Sequence, residues 1–308
     1  MNTSSKSRAI KAPHAASSVS PEVAAELRPG QSIALLQELH ILTRDARLNQ
    51  DSRRKLKQVY HLYQFIEKIL LELAAASDAA PAQERAAALT VADHGAGKSY
   101  LGFILYDLFF RSRRDGWVYG IETRSELVDK SKQLAGALGF ERMSFLNLSV
   151  AESAKAQELP EQIDMVTALH ACDTATDDAI AFGLAKKARS MVLVPCCQAE
   201  LARLLNAGKA LHLRRTPLAE LWRHPLHTRE VGSQLSNVLR CLYLEAWGYQ
   251  VTVTELVGWE HSLKNELIIA RHTGQLRRSA SESLRALLEQ FGLLALLETR
   301  FRLPEMHL

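Results

Sequence analysis

Between Lys55 and Leu73, apolar side chains recur at three- and four-residue steps: Leu56, Val59, Tyr60, Tyr63, Ile66, Leu70 and Leu73. That period puts them on one face and predicts a long helix with a buried stripe. Helical patterning begins near Gln31, and the polar, small-residue stretch Ser77 to Gln83 reads as the linker that follows it. Beyond the linker, short β-rich runs alternate with helical ones. Strands are predicted at 88–92, 117–122, 143–146, 163–169, 190–195, 250–257 and 265–270. Helices are predicted at 98–111, 125–138, 176–187 and 229–247, with a surface helix at 281–293. Such alternation argues for a parallel α/β sheet. Only Gly258 to Lys264 separate the last two strands, too few residues for a parallel crossover, so that pair is expected to be antiparallel.

The chemistry begins at the first strand-to-helix turn, Asp93-His94-Gly95-Ala96-Gly97. Two glycines there let the backbone approach a nucleotide-like ligand and adopt φ values that a Cβ would disfavour. An acid in that place would repel a phosphate and attract the ammonium and sulfonium groups of S-adenosylmethionine (SAM). Gly97-Lys98-Ser99 ends like a phosphate-binding P-loop, but Ala92 stands where that motif needs its first glycine. A dinucleotide loop needs a third glycine where Tyr100 stands. A glycine turn without a cofactor is the remaining alternative. The next acid, Glu122, closes the second predicted strand 25 residues after Gly97. That is near the interval of about 20 residues at which a carboxylate meets ribose hydroxyls in a βαβ unit. An acid favoured by a helix N-terminus would have the same sequence signature.

Composition bounds the setting. The chain has 308 residues, 47% hydrophobic and 23% charged, with a formal net charge of +4. This is a globular composition, permissive of an anionic partner. The four cysteines (172, 196, 197 and 241) form no Cys-x-x-Cys pair, which fits a reduced, cytoplasmic protein. No apolar stretch approaches 18 residues, so no membrane span is expected. Residues 1–30, rich in Ser and Ala, read as a disordered tail. A helical extension at 31–86, a cofactor-binding domain at 87–274 and a helical segment at 275–308 complete the expected organisation.

Further along stand Leu169-His170-Ala171-Cys172, Pro195-Cys196-Cys197 and Lys264-Asn265. With Asp93-x-Gly-x-Gly and Glu122, these make the chain resemble class I SAM-dependent methyltransferases. The nearest branch carries Leu-His-x-Cys after strand four and Pro-Cys-Cys after strand five, and includes a tRNA ribose 2′-O-methylase and several methyltransferase-like proteins. The resemblance runs from about Lys55 to Ala270. It implies a Rossmann-like sheet of seven strands with the last one antiparallel, preceded by an N-terminal helical extension. It also implies that Asp93, Gly95, Ala96 and Gly97 line the methionine part of SAM, that Glu122 holds the ribose, and that Ser149 stands where the family often places an Asp near the adenine. Two residues depart from the branch pattern: Asp173 replaces an expected glycine, and Gln198 replaces a frequent His.

His170, Cys172, Cys196 and Cys197 follow two strands expected to be neighbours, so they are candidates for the acceptor pocket, with His170 as a possible base. Zinc ligation and plain buried thiols compete with that reading. The spacing lacks a zinc-finger pattern, and no metal is expected. Two basic stretches could meet an anionic acceptor, here read as RNA. One is Arg53 to Lys57, with Lys55 at its centre and Tyr60 and Tyr63 nearby. The other, 209–230, carries a net +3 and includes Arg214 and Arg215. Lys264 and Asn265 complete the candidate acceptor-binding set. The reading is a SAM-dependent methyltransferase acting on RNA. The alternatives are a protein or small-molecule acceptor, or a silent SAM-fold binding subunit.

Overall fold

The computed structural model describes residues 19–79, 88–169, 173–195, 200–209, 217–256 and 266–305. Its centre is one seven-stranded sheet: β1 (Thr90–His94), β2 (Trp117–Glu122), β3 (Met143–Asn147), β4 (Met165–Leu169), β5 (Ser190–Val194), β6 (Tyr249–Glu255) and β7 (Glu266–His272). The strand order is β3-β2-β1-β4-β5-β7-β6. β1 to β5 pair in parallel, while β7 is antiparallel to both β5 and β6. This is the predicted Rossmann-like methyltransferase sheet, with its reversed strand slotted between β5 and β6.

Alternation along each strand divides the sheet between two cores. Val91, Val118, Met165, Val192 and Ile269 enter one core, whereas Ala92, Tyr119, Val166, Met191 and Ile268 enter the other. The period-two pattern therefore serves two buried faces, as a sheet covered by helices on both sides requires. The first face is covered by α3 (Gln50–Ala79), α4 (Tyr100–Leu105) and α5 (Ser125–Leu138). The predicted stripe of α3 is the buried one: Leu56, Tyr63, Ile66, Leu70 and Leu73 all lie in that core. The second face is covered by α7 (Ala175–Ala185), α9 (Pro225–Ala246) and α10 (Arg278–Gln290). Pro225 at the first turn of α9 starts that helix four residues before the predicted boundary, with φ already set for a helix.

Several local expectations are corrected. Within the segment read as a tail, α1 (Pro21–Glu26) forms with Ser20 as its cap and Val23 in the first core. A second short helix, α2 (Ile33–Glu38), follows it. β1 runs through Asp93 and His94 instead of ending before them. The predicted amphipathic helix 98–111 is α4 continued by a π turn, Tyr106–Phe110, in which Arg111 N–H reaches the Tyr106 carbonyl. This helix is buried on nearly every side. The N-terminal segment covers its outer face: Ser32 N–H donates to Asp107 at 2.9 Å, Tyr100 donates to the Leu39 carbonyl at 2.7 Å, and Arg111 donates to the Gly30 carbonyl.

Candidate functional site

The carboxyl ends of β1, β2 and β4 meet where the strand order turns back, the usual place for a ligand in an open α/β sheet. The loop after β1 is pinned there by its own backbone. Ala96 N–H donates to the Ile121 carbonyl at 3.0 Å and Gly97 N–H to Glu122 Oε2 at 2.8 Å. Gly95 and Gly97 take φ of 68° and 58°, left-handed values that cost glycine little. The two sequence anchors, the loop and Glu122, are thus in direct contact.

Glu122 is buried, yet its carboxylate is ionised. Burial pushes its pKa up, but hydrogen bonds from the Arg124 side chain, the Arg124 N–H and the Gly97 N–H hold it at about 2. Arg124 donates through Nε and Nη2 at 3.0 and 3.1 Å, and its own side chain is mostly exposed. Asn147 closes the floor by donating to the carbonyls of Glu122 and Thr123.

Asp93 is placed differently from the expectation. Its carboxylate is turned under the start of α4, accepting from Thr167 Oγ1 at 3.0 Å and from Ser99 Oγ at 3.5 Å. Desolvation raises its pKa to about 6 against those hydrogen bonds. It anchors the loop from below, where the sequence reading had it facing the ligand. Ser99 takes a left-handed φ of 52° and is itself buried. Its hydroxyl is therefore committed to Asp93, which removes it from the metal-binding role that a P-loop serine plays.

Ser149 caps α6 (Val150–Ser153). Its N–H and Oγ–H donate to Glu152 Oε2 at 2.8 and 2.6 Å, and its Oγ accepts the Glu152 N–H. This reciprocal pairing is a capping box. Ser149 is exposed at the edge beyond β3, but its polar groups are engaged locally.

His94 is the residue that sequence reasoning missed. It is 5% exposed and packs beside the Phe182 ring of α7. Neither ring nitrogen has a hydrogen-bond partner among the described residues. Burial lowers its pKa to about 4, with the Glu122 charge pulling the other way. A histidine that closes a fully buried strand, next to the acid of the loop, is the signal that marks it.

His170, Cys172, Cys196, Cys197, Arg214, Arg215, Lys264 and Asn265, together with Gln198, lie outside the described residues. The residues that border them are described. Asp173, the departure from glycine, adopts φ 55° and so takes a backbone conformation suited to glycine. Asp tolerates that region better than most side chains. Its carboxylate accepts the Glu200 N–H at 2.9 Å and pairs with Arg203 at 3.0 Å.

Lys55 is exposed on α3. Its neighbours are partly neutralised, with Arg53 on Glu26 at 2.9 Å and Arg54 on Asp51 at 3.8 Å. Tyr60 and Tyr63 do not offer faces to a base: Tyr63 is buried, Tyr60 is half-buried, and the Arg28 guanidinium lies over both rings. In the second basic stretch, Arg223 pairs with Glu220 and Arg229 with Glu230. Among the described residues, no group of three His, Cys, Asp or Glu side chains is placed to hold a metal ion, and no helix is long and apolar enough to cross a membrane.

Residues 54–204, just under half of the chain, match the family model of a methyltransferase domain. No curated protein matches the chain in sequence. Among solved structures, it is similar to a putative O-methyltransferase from Klebsiella pneumoniae at 10% identity, covering 82% of this chain and 94% of that one, with a TM-score of 0.45. It is also similar to magnesium protoporphyrin IX methyltransferase from Synechocystis with bound SAH, at 14% identity, 79% and 96% coverage and a TM-score of 0.40. An rRNA methylase from Streptococcus thermophilus has 11% identity, 60% and 87% coverage and a TM-score of 0.36. These likenesses are distant, and the weight rests on the family match and on the sheet. That match and the strand order into which residues 88–194 fold together support a SAM-dependent methyltransferase domain over residues 54–204.

Proposed function

We propose that this methyltransferase acts on RNA, with the acceptor received at the carboxyl edge of the sheet. The observation that carries this reading is the basic start of α3, where Lys55 and Lys57 are exposed while Arg53 and Arg54 are drawn to Glu26 and Asp51. The branch resemblance, which includes a tRNA ribose methylase, points to the same class of acceptor.

The residues fit SAM. Glu122 offers an ionised carboxylate within hydrogen-bond reach of the loop, which suits a vicinal diol once exposed Arg124 swings aside. Gly95, Ala96 and Gly97 admit the methionine part without side-chain obstruction, and Asp93 holds that loop from beneath. Ser149 stands at the adenine end. SAM supplies an activated methyl group that passes directly to a nucleophile. The protein's share is positioning and exclusion of water, which account for most of the rate in such transfers. We assign that task to His170, Cys172, Cys196 and Cys197, and the holding of the acceptor backbone to Lys55, Arg214, Arg215, Lys264 and Asn265.

Tracing a labelled methyl group from SAM into RNA, protein and small-molecule fractions of a desalted extract tests this. Label in RNA, abolished by ribonuclease, is the expected result. Label confined to protein or to small molecules would replace RNA with that acceptor class.

A further inference from the structure

The Glu122 carboxylate is crowded with donors from its own chain. Its Oε1 accepts the Arg124 N–H and Arg124 Nε, both at 3.0 Å, and Thr123 Oγ1 at 3.3 Å. Its Oε2 accepts the Gly97 N–H at 2.8 Å and Arg124 Nη2 at 3.1 Å. Three donors on one oxygen and two on the other make five, against about four acceptor sites on a carboxylate. The two backbone donors are fixed by the fold, because Ala96 pins the loop to β2 and Asn147 ties down the carbonyls of Glu122 and Thr123. The donors that can leave are side chains: Thr123 Oγ1, the longest of the five, and the fork of Arg124. The Arg124 side chain is 60% exposed. Its Nη2 lies 3.8 Å from where a Cβ on Gly97 would stand, so the guanidinium rests against the bare face of the glycine. Glu126 also acts on it through its charge, but the hydrogen-bonded partner is Glu122.

A ribose diol brings two adjacent O–H donors, the same number as the fork. To bind both oxygens of Glu122 it must take the fork's place, since the backbone donors stay. The exchange leaves the carboxylate satisfied and the guanidinium without an anion. That cation then stands at the carboxyl end of β2, on the edge where the methyl group meets its acceptor. A guanidinium holds a phosphate with the same two-pronged geometry that it uses on a carboxylate. An arginine with no second partner would only weaken cofactor binding. One that moves from Glu122 to a phosphate offsets that loss when the acceptor arrives.

We propose that Arg124 couples the cofactor site to the RNA site: the ribose diol displaces its guanidinium from Glu122, and the displaced guanidinium holds a phosphate of the RNA. This rests on the reading of RNA as the acceptor and of Glu122 as the ribose ligand. RNA therefore binds more tightly to the cofactor-loaded protein than to the empty one. By linkage, RNA tightens the cofactor by the same factor.

Both affinities are measured on wild type, Arg124→Ala and Arg124→Lys. The cofactor is S-adenosylhomocysteine (SAH), whose ammonium and carboxylate cancel, so it brings no net charge and transfers no methyl group. Anisotropy of a fluorescein-labelled single-stranded RNA of mixed sequence reads RNA affinity from about 50 to about 200 mM salt, with and without saturating SAH. Calorimetry reads SAH affinity with and without the RNA. In wild type, SAH is expected to tighten RNA about fivefold, the lower end of coupling between sites. It is also expected to steepen the salt slope by about 0.7, one phosphate contact. RNA is expected to tighten SAH by the same factor as SAH tightens RNA. In Arg124→Ala, both couplings are expected to vanish, with RNA affinity at the value of SAH-free wild type. Arg124→Lys keeps the charge without the fork, and its coupling is expected to fall between the two.

Wild-type RNA affinity that ignores SAH, or coupling that survives in Arg124→Ala, would overturn the proposal and leave the RNA reading intact. SAH that binds wild type and Glu122→Ala equally would overturn the ribose contact at Glu122, and the proposal with it. A wild type that binds SAH but no RNA at about 50 mM salt would overturn the RNA reading together with the coupling.

Discussion

Gly97 donates its backbone N–H to Glu122 Oε2 at 2.8 Å, closing a 25-residue separation at the point where β1 gives way to its loop. The same carboxylate accepts three further hydrogen bonds from Arg124, counting its N–H, Nε and Nη2. A ribose that binds Glu122 must therefore compete with Arg124 and not with water alone. Losing a charge-assisted hydrogen bond costs about 1.5–3 kcal/mol, so Glu122→Ala is expected to weaken SAM about tenfold to a hundredfold. Arg124→Ala is expected to act in the other direction and tighten SAM by about the few-fold that an exposed ion pair is worth. Calorimetry on the two variants checks both signs. Weaker binding in Arg124→Ala would show that this guanidinium contacts the ligand itself.

Asp93 gives a prediction in which stability and binding separate. Burial raises its folded pKa to about 6 from 3.8. The folded state therefore holds this proton more tightly than the unfolded chain does. Its contribution is fully present below about pH 3.8 and is lost as pH rises through about 6, amounting to roughly 3 kcal/mol at neutral pH. Asp93→Asn keeps an acceptor for Thr167 and removes that loss. The variant is expected to resist urea better than wild type at pH 7.5, by up to about 3 kcal/mol, and to show little advantage at pH 4. If the charge also attracts the sulfonium, the stabilised variant binds SAM more weakly. Equal urea midpoints at pH 7.5 would refute the stability half.

His94 titrates with the opposite consequence. Its folded pKa is lowered from 6.5 to about 4 by burial. The folded state disfavours the imidazolium, so the stability lost is complete only once pH has fallen from above 6.5 to below about 4, and reaches roughly 3 kcal/mol. Between pH 6 and pH 4, this loss offsets the gain from Asp93. His94→Leu removes one side of the balance. Its stability relative to wild type is expected to rise as pH falls from 7.5 to 5, read from urea unfolding at each pH. A difference that stays constant over that range would mean that His94 has the same pKa in the fold as in the unfolded chain.

The two-core division of the sheet was legible because it follows from alternation within single strands, as Val91 against Ala92 and Val192 against Met191 show. That Glu122 closes the strand next to the loop of Gly97 was legible because a βαβ unit has a narrow range of lengths, but the hydrogen bond between them was not. The burial of the helix after the loop was not. It depends on Ser32 meeting Asp107 from 75 positions away, and no local period encodes that meeting. The position of Asp93 was misjudged for a related reason. The two-residue extension of β1 past Ala92 commits the Asp93 side chain to one face of the sheet, and there it finds Thr167. Asp173 stood out in the sequence as a departure, but its compensation is a pair of bonds to Glu200 and Arg203 that only the fold assembles. Arg240 reads as one more helix cation until Asp177, 63 positions away, is beside it.

The RNA reading makes its sharpest demand on salt. Phosphate contacts release counterions, so the logarithm of affinity is expected to fall against the logarithm of salt with a slope of about −0.7 per single-strand contact. Arg53 and Arg54 are already drawn to Glu26 and Asp51, and Arg223 and Arg229 to Glu220 and Glu230. In the two basic stretches, Lys55 and Lys57 are the cations outside those pairs among the described residues, and the sequence adds Lys209, Arg214 and Arg215. Arg214→Ala/Arg215→Ala is expected to flatten the slope by about 1.4, two contacts' worth, and to lower methyl transfer while leaving SAM affinity unchanged. Lys55→Ala is expected to remove about 0.7 more, one contact's worth, because Lys55 is exposed at the basic start of α3. Arg223→Ala serves as the control, since its charge is spent on Glu220 and its loss leaves the slope nearly where it was. Fluorescence anisotropy of labelled RNA from 50 to 200 mM salt, a range of about the width over which such contacts are resolved, reads all four slopes. A slope indifferent to Arg214, Arg215 and Lys55, or more sensitive to Arg223 than to them, would place the acceptor away from this edge and remove RNA as the substrate.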